Sequence, residues 1–351
     1  MNWLNWRLTG CGESDPVQKF VGPNKGKISR VRDMEHEPAF QDGNAYVLLV
    51  GLPAFKTPLI LAPGLALRPL AAPLSVFDLA AAGAVGFKGW AAVEQFAPVC
   101  AAEIESAKDA EITPGYDTLN RAWLMTGLLV LRGFTRVSGL ACSSYSWNLI
   151  AGHQARHSER FQKEARDEGI QTAVFERKHS LPRFRGNLLD YHLTYFIDPA
   201  SRTDAPNEAD AEWTRVHFDI FNNMASQNEA FRFAFEAGFD WRFAKEPRSA
   251  VARLWSGIEA LFGINSELVY RISVYSACLL AKRGEPRRRK FEEVKRLYGL
   301  RSKVVHGEKL AEGKIFQAVT DSFHLLRDLL LLAVDRGKPI TIEDVETAIF
   351  F

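Results

Sequence analysis

The spacing of apolar residues changes part-way along the chain. Up to about residue 205 they come in short runs broken by turn residues. Ala45 to Leu52 and Pro58 to Leu70 are such runs, punctuated by Gly51, Pro53, Pro63 and Gly64. That pattern predicts strands and loops. Thr135 to Ala141, Thr172 to Arg177 and Tyr191 to Ile197 are rich in β-branched and aromatic residues and read as further strands. Trp90 to Lys108 and Tyr116 to Arg132 read as helices, with Pro98 kinking the first and Gly133 ending the second.

Asp198 to Asp210 is polar, contains two prolines and has the composition of a linker. Beyond it the pattern is helical. Ala211 to Ala237 reads as one long helix rich in aromatics. Glu246–Pro247 starts another, whose apolar positions Val251, Leu254, Trp255, Ile258 and Leu261 share one face before Gly263 ends it. Asn265 and Ser266 are placed to cap a third, with Leu268, Ile272, Tyr275 and Leu279 as its buried stripe. Lys282 to Lys290 reads as a basic loop carrying Gly284 and Pro286. A helix then runs from about Phe291 through Val294, Tyr298 and Val305 to Gly307, and the last long one covers about Ile315 to Arg336. Ile340 to Phe351 reads as a short tail. The expected fold class is α+β: a mixed α/β region over 1–205, then an all-α helical bundle over 209–345.

Composition excludes several classes. Among 351 residues, 47% are hydrophobic and 25% charged, so the chain is neither disordered over most of its length nor of low complexity. No signal-peptide core and no apolar run of bilayer length stands out, so no membrane association is expected. Cys11, Cys100, Cys142 and Cys278 are scattered without a Cys-x-x-Cys pair. Neither a zinc site nor a disulfide framework is implied, and a reducing cytoplasm fits. Net charge is only +2, which taken alone argues against nucleic acid. The balance hides a segregation. Lys245 to Lys338 holds 19 basic and 11 acidic side chains, a net +8, against 25 and 31 elsewhere, a net −6. A basic bundle attracts polyanions. The blander reading of Arg287, Arg288, Arg289 and Lys290 is a solvated turn.

The most informative stretch is Leu297 to Gly307, LYGLRSKVVHG. RNA carries its own nucleophile, the ribose 2′-hydroxyl. An enzyme that cuts it needs a base for that hydroxyl, an acid for the leaving 5′-oxygen, and positive charge on the phosphorane. Histidine titrates near neutrality and arginine offers a planar, permanently charged fork, so Arg301 and His306 suffice without a metal or cofactor. Their separation places them about 140° apart around an ideal helix. They do not share a face, so the helix must unwind near Gly307 or another segment or subunit must complete the site. Arg301 also falls close to the stripe of Val294, Tyr298 and Val305, where it needs an acidic partner or a phosphate. Spacing alone does not single this pair out, because Arg30–His36 and Arg185–His192 have a similar one. Only Arg301–His306 closes an amphipathic helix in the basic bundle. A structural arginine and a helix-terminal histidine would look the same.

Other chemistry finds little support. The phosphate-binding Gly-x-x-x-x-Gly-Lys-Ser/Thr loop, His-Glu-x-x-His and Gly-x-Ser-x-Gly are all absent. His153 and His157 have helical i, i+4 spacing but no third ligand nearby in sequence, and read as surface histidines.

Leu297, Tyr298, Arg301, Ser302, Val305, His306 and Gly307 together resemble the signature of the HEPN superfamily, in particular its Apea-like branch, Leu-Tyr-x-x-Arg-Ser-x-x-Val-His-Gly. Ile258-Glu259-Ala260-Leu261 resembles the first core helix of such domains, and Arg271 falls where their second helix often has an arginine. The resemblance covers about residues 210–340. It implies a bundle that forms a homodimer, bringing two Arg–His helices together as a composite, metal-independent endoribonuclease site. It also implies RNA as substrate, a setting of toxin–antitoxin or antiviral defence, and a regulatory partner protein. By the same resemblance Arg301 stabilises the transition state and His306 transfers protons. Ser302 occupies a polar position where many members carry Asn, Asp or His, and Lys303 adds a phosphate contact or is plain surface. Glu259 orients Arg301 or is a simple surface acid. A non-catalytic RNA- or nucleotide-binding module and a purely structural dimerisation bundle are the alternatives. An acidic N-terminal part covering the basic bundle would make the enzyme autoinhibited.

Overall fold

A computed structural model describes residues 44–75, 78, 100–107, 118–143, 146–152, 186–188, 200–244, 246–264 and 266–351. It has a small antiparallel sheet in the N-terminal half and a helical C-terminal region, an α+β arrangement.

The described strands are β1 (Ala45–Val50), β2 (Leu59–Ala62), β3 (Leu65–Pro69), β4 (Cys100–Ser106), β5 (Ser138–Ser143) and β6 (Gly186–Leu188). They form one sheet in the order β2-β3-β4-β1-β5-β6. Register aligns Leu67, Ile104, Val47 and Cys142 in a row across four strands, and all four are buried in the main core. The opposite face of β1 carries Leu48 and Val50 into a second cluster with Trp147 and Ile150. Burial on both faces explains why β1 reads as an apolar run without clean alternation.

β4 overturns the expected helix over Trp90 to Lys108, whose other residues lie mostly outside the described ones. Alanine and glutamate favour helices locally, but this segment pairs with β1 on one edge and β3 on the other. Its buried Glu103 accepts hydrogen bonds from the Ser146 hydroxyl (2.6 Å), the Trp147 amide (2.6 Å) and the Asn148 side chain (3.1 Å). Burial pushes the Glu103 carboxyl above its ordinary value, against the pull of those hydrogen bonds. The expected strands over Thr172 to Arg177 and Tyr191 to Ile197 lie outside the described residues.

Helix α1 (Thr118–Leu131) packs on β1, β4 and β5, and ends before Gly133, whose φ of 111° only glycine adopts readily. Its other side meets the bundle. Trp123 lies edge-on to Phe235 at 4.7 Å, and a Cβ on Gly127 would stand 2.2 Å from the Phe235 ring. After the four-residue helix α2 (Trp147–Ile150) come α3 (Glu208–Gln227) and α4 (Glu229–Asp240), two helices where one was expected. The break is at Asn228, which is extended and whose side chain accepts from the Phe231 amide at 2.7 Å. A preferred capping residue prevails there over continuous helical patterning.

α5 (Pro247–Phe262) starts and stops as expected, with Pro247 in its first turn and Gly263 left-handed after it. α6 (Leu268–Leu280) follows Glu267, which is left-handed at φ 51° and makes no side-chain cap. The expected cap at Ser266 is thus not used, and Asn265 lies outside the described residues. On α6 only Ile272 of the expected stripe is fully buried; Leu268, Tyr275 and Leu279 are partly so. α7 (Glu285–Val305) begins six residues before the expected Phe291. Pro286 opens this helix, because its missing amide is harmless in a first turn. α8 (Glu312–Arg336) precedes α9 (Ile342–Phe350), a helix rather than a tail, started by a capping box between Thr341 and Asp344.

One cluster of buried residues runs from Ala45 on β1 to Val345 on α9. The change in secondary structure near residue 205 is therefore not a gap in packing. Arg242, fully buried, donates to the carbonyls of Thr135 and Val137, and Arg327 on α8 donates to that of Leu131 at the end of α1. Among the described residues no helix is long and apolar enough to cross a membrane.

Candidate functional site

The site is built where α5 packs on α7. Trp255 and Tyr298 meet edge-on at 5.0 Å, and the Trp255 indole donates to the Ser322 hydroxyl at 2.9 Å. Glu259 lies one turn beyond Trp255, and Arg301 three residues beyond Tyr298. The aromatic contact therefore sets the register that brings the Arg301 guanidinium to 3.1 Å from a Glu259 carboxylate oxygen. Both side chains are about a quarter exposed, at 21% and 24%. The guanidinium also lies over the Tyr298 ring, 5.3 Å from its centre. Burial pushes the Tyr298 phenol above its ordinary pKa, Glu259 adds to that and Arg301 opposes it. Only one nitrogen of Arg301 is bonded; its Nε is buried with no hydrogen-bond partner among the described residues.

The buried stripe of α7 runs through Val294, Leu297, Tyr298 and Val304. Val305, expected on that stripe, is 40% exposed and Val304 is fully buried. At 100° per residue Val305 stands about 20° from Val294 and Val304 about 80°, so the burial of Val304 departs from ideal periodicity in the helix's last turn. Arg301 falls on this row, about 20° from Val294, which is why most of its side chain is covered.

His306 is the last residue of the helical path and Gly307 turns it, left-handed at φ 79°. The Glu308 amide reaches back to the Lys303 carbonyl (3.0 Å) and the Gly307 amide to that of Val304 (3.3 Å), the Schellman closure that a glycine permits. The His306 amide donates to the Ser302 carbonyl at 2.9 Å. The imidazole is exposed and makes no hydrogen bond among the described residues. Ser302 is partly buried and Lys303 exposed. No hydrogen bond or ion pair joins Arg301 to His306 within the chain.

Arg248 had no place in the reading of the sequence. It sits in the first turn of α5, and its guanidinium donates to the carbonyl of Val304 and, at 2.7 Å, to that of Glu308. A signal was there to find: a cation in a first turn opposes the helix dipole and calls for a tertiary partner.

The basic residues at the start of α7 have protein partners. Arg287 donates to the Ala348 carbonyl at 2.9 Å, at the end of α9. Arg288 pairs with Glu285 at 2.9 Å, Arg289 approaches it at 4.0 Å, and Lys290 pairs with Glu293 at 3.0 Å. Arg288 and Arg289 remain open to solvent. Arg271 pairs with Glu267. Arg30–His36, Arg185–His192, His153 and His157 lie outside the described residues. Among the described residues no three His, Cys, Asp or Glu side chains are grouped to hold a metal.

No protein-family model, curated protein or solved structure matches the chain.

Proposed function

We propose that this chain is a metal-independent endoribonuclease of the HEPN type, acting on RNA in the cytoplasm as a homodimer formed through α7. Defence against phage or a toxin–antitoxin pair is the setting this chemistry suits. The observation that carries the reading is the state of Arg301. A carboxylate and an aromatic ring hold it in place, yet most of its donors have no protein partner. A half-satisfied guanidinium gains from an anion, and a phosphate matches its planar fork. The exposed imidazole of His306 lies little more than a turn away along α7.

The chemistry follows from those two groups. One His306 imidazole takes the proton of the ribose 2′-hydroxyl as the 2′-oxygen bonds to phosphorus. The bond from phosphorus to the 5′-oxygen breaks, and a protonated imidazole supplies that oxygen's proton. Arg301 balances the charge on the phosphorane. The products are a 2′,3′-cyclic phosphate and a 5′-hydroxyl. Two imidazoles serve best as base and acid, which supports a two-fold pairing of α7 helices. Ser302 and Lys303 line the same turn, and Arg288 and Arg289 offer charge to the RNA backbone.

The test is cleavage of a mixed-sequence single-stranded RNA in EDTA. His306→Ala should lower the rate by about 10²- to 10⁴-fold, the usual contribution of a proton-transfer group, with thermal stability unchanged. Undiminished cutting by that variant, or products without a cyclic phosphate, rejects the mechanism. The ion pair to Glu259 also favours a second reading, a non-catalytic module that binds RNA or nucleotide, or only dimerises. Salt-dependent RNA affinity without turnover is its signature.

A further inference from the structure

We infer that Arg248 is a positioning residue for His306, holding the turn that carries the imidazole. The inference rests on the proposed role of His306. Four facts lead to it. Arg248 occupies the first turn of α5, where its charge opposes the helix dipole, so local energetics do not explain its presence. Its fork instead reaches the end of another helix. There it donates to the carbonyl of Val304, two residues before His306, and to that of Glu308, two residues after. The Val304 carbonyl lies in the last turn of α7, where helix carbonyls carry partial negative charge and lack i+4 partners, and the amide that returns to it is that of Gly307 at 3.3 Å, so a guanidinium is well placed there. Finally, the imidazole has no hydrogen bond of its own among the described residues, so its position is inherited from this backbone.

Helix ends fray by a residue or two unless tied. The turn here is closed from inside by the amides of His306, Gly307 and Glu308. Arg248 closes it from outside, and is the contact that fixes the turn relative to α5. The same helix holds Arg301 through Glu259. α5 thus sets both groups of the site from one rigid element, Arg301 by an anion and the His306 turn by a cation. A misplacement of about 1 Å in a reacting group lowers a rate by about 10²-fold. Losing the brace should therefore lower kcat by about 10- to 100-fold and leave KM for RNA near its original value, because Arg248 bonds no part of the surface proposed to meet RNA.

The experiment uses the full chain with Arg248→Ala and Arg248→Lys. Three quantities are measured: RNA cleavage, amide hydrogen exchange at Gly307 and Glu308, and the NMR chemical shifts of the His306 ring at fixed pH. Arg248→Ala should speed exchange at those amides by tenfold or more, move the NMR signals of the His306 ring and lower kcat. Arg248→Lys, which keeps the charge but not the fork, should fall between. If Arg248→Ala does not fold, the lysine variant carries the same comparison. Unchanged exchange and ring signals in a folded variant overturn the inference, whatever the activity. A wild-type chain that never cuts RNA defeats the proposed reaction, while the exchange and the ring signals still decide whether Arg248 fixes the turn. Exchange that rises while kcat stays unaltered in an active enzyme also overturns the positioning role.

Discussion

Two arginine–carboxylate clusters in this chain are built to different specifications. One lies at the junction of the sheet and the helices. Asp210 is 1% exposed and receives the Arg132 Nε at 2.8 Å, the Arg202 Nη1 at 2.6 Å and the Asn207 amide at 3.1 Å. Arg202 is shared with Asp204. The other lies between α5 and α7, where Glu259 receives one bond from Arg301 and nearly a quarter of each side chain faces water. Geometry separates their purposes. A buried carboxylate filled on every side, though its arginines are themselves 35% and 25% exposed, fixes a junction. An arginine held at one nitrogen and idle at the others is positioned but not consumed.

The largest effect that distinguishes them should be on folding. Asp210→Ala takes the carboxylate from Arg132, leaves Arg202 with Asp204 alone and removes half of a capping box on α3. Losing hydrogen bonds to a charged group costs about 1.5–3 kcal/mol each, read as a lower urea midpoint. Cleavage per folded molecule should not change. A variant of wild-type stability would break the comparison at once.

Acid gives a second handle on the same cluster. Burial pushes the Asp210 carboxyl up, but hydrogen bonds from Arg202 and Arg132 more than reverse this, so it titrates below the ordinary carboxylate range. A depressed pKa contributes stability that is present above the unfolded value of about 4 and is lost as pH falls through the folded one. The gap in stability between wild type and Asp210→Asn should therefore narrow as pH drops from about 5 towards 3. A gap independent of pH would show that the charge of Asp210 does not matter.

What the sequence made legible follows the same division between local and distant causes. The start of α5 at Pro247 and the ends of α5 and α7 at Gly263 and Gly307 were readable, because a cap is decided by neighbours a few residues apart. Arg301 and His306 were readable as a pair near one helix end for the same reason. β4 was not, since its neighbours β1 and β3 supply what its alanines and glutamates lack as strand formers. Nor was the division of α3 from α4, because a single Asn228 inside a helical pattern gives little notice of a cap. Glu259 was readable only as an alternative, because 42 residues separate it from Arg301. Arg248 is the sharper case. Its first-turn charge is visible locally, but its partners lie at the far end of another helix. The −6/+8 charge split suggested an acidic region laid over the bundle. Most of that region lies outside the described residues; its described strands pack chiefly on α1 and α3, and α7 packs on α5, α6 and α8.

The smallest expected effect tests the site itself. Glu259→Gln keeps an oxygen that accepts from Arg301 and removes the negative charge. A partly exposed pair of this kind is worth about 1 kcal/mol or less to folding, so stability should barely move. Function should move in two parts. Without the carboxylate, Arg301 attracts phosphate more strongly in the ground state, so KM for RNA should fall. Its guanidinium is also less firmly aimed, so kcat should fall by about tenfold, a loss of about 1.4 kcal/mol in transition-state stabilisation. A variant that binds RNA more tightly but cuts it more slowly fits an arginine positioned for the transition state. Unchanged kcat and KM would make Glu259 the simple surface acid and return Arg301 to a structural role, erasing the difference between the two clusters.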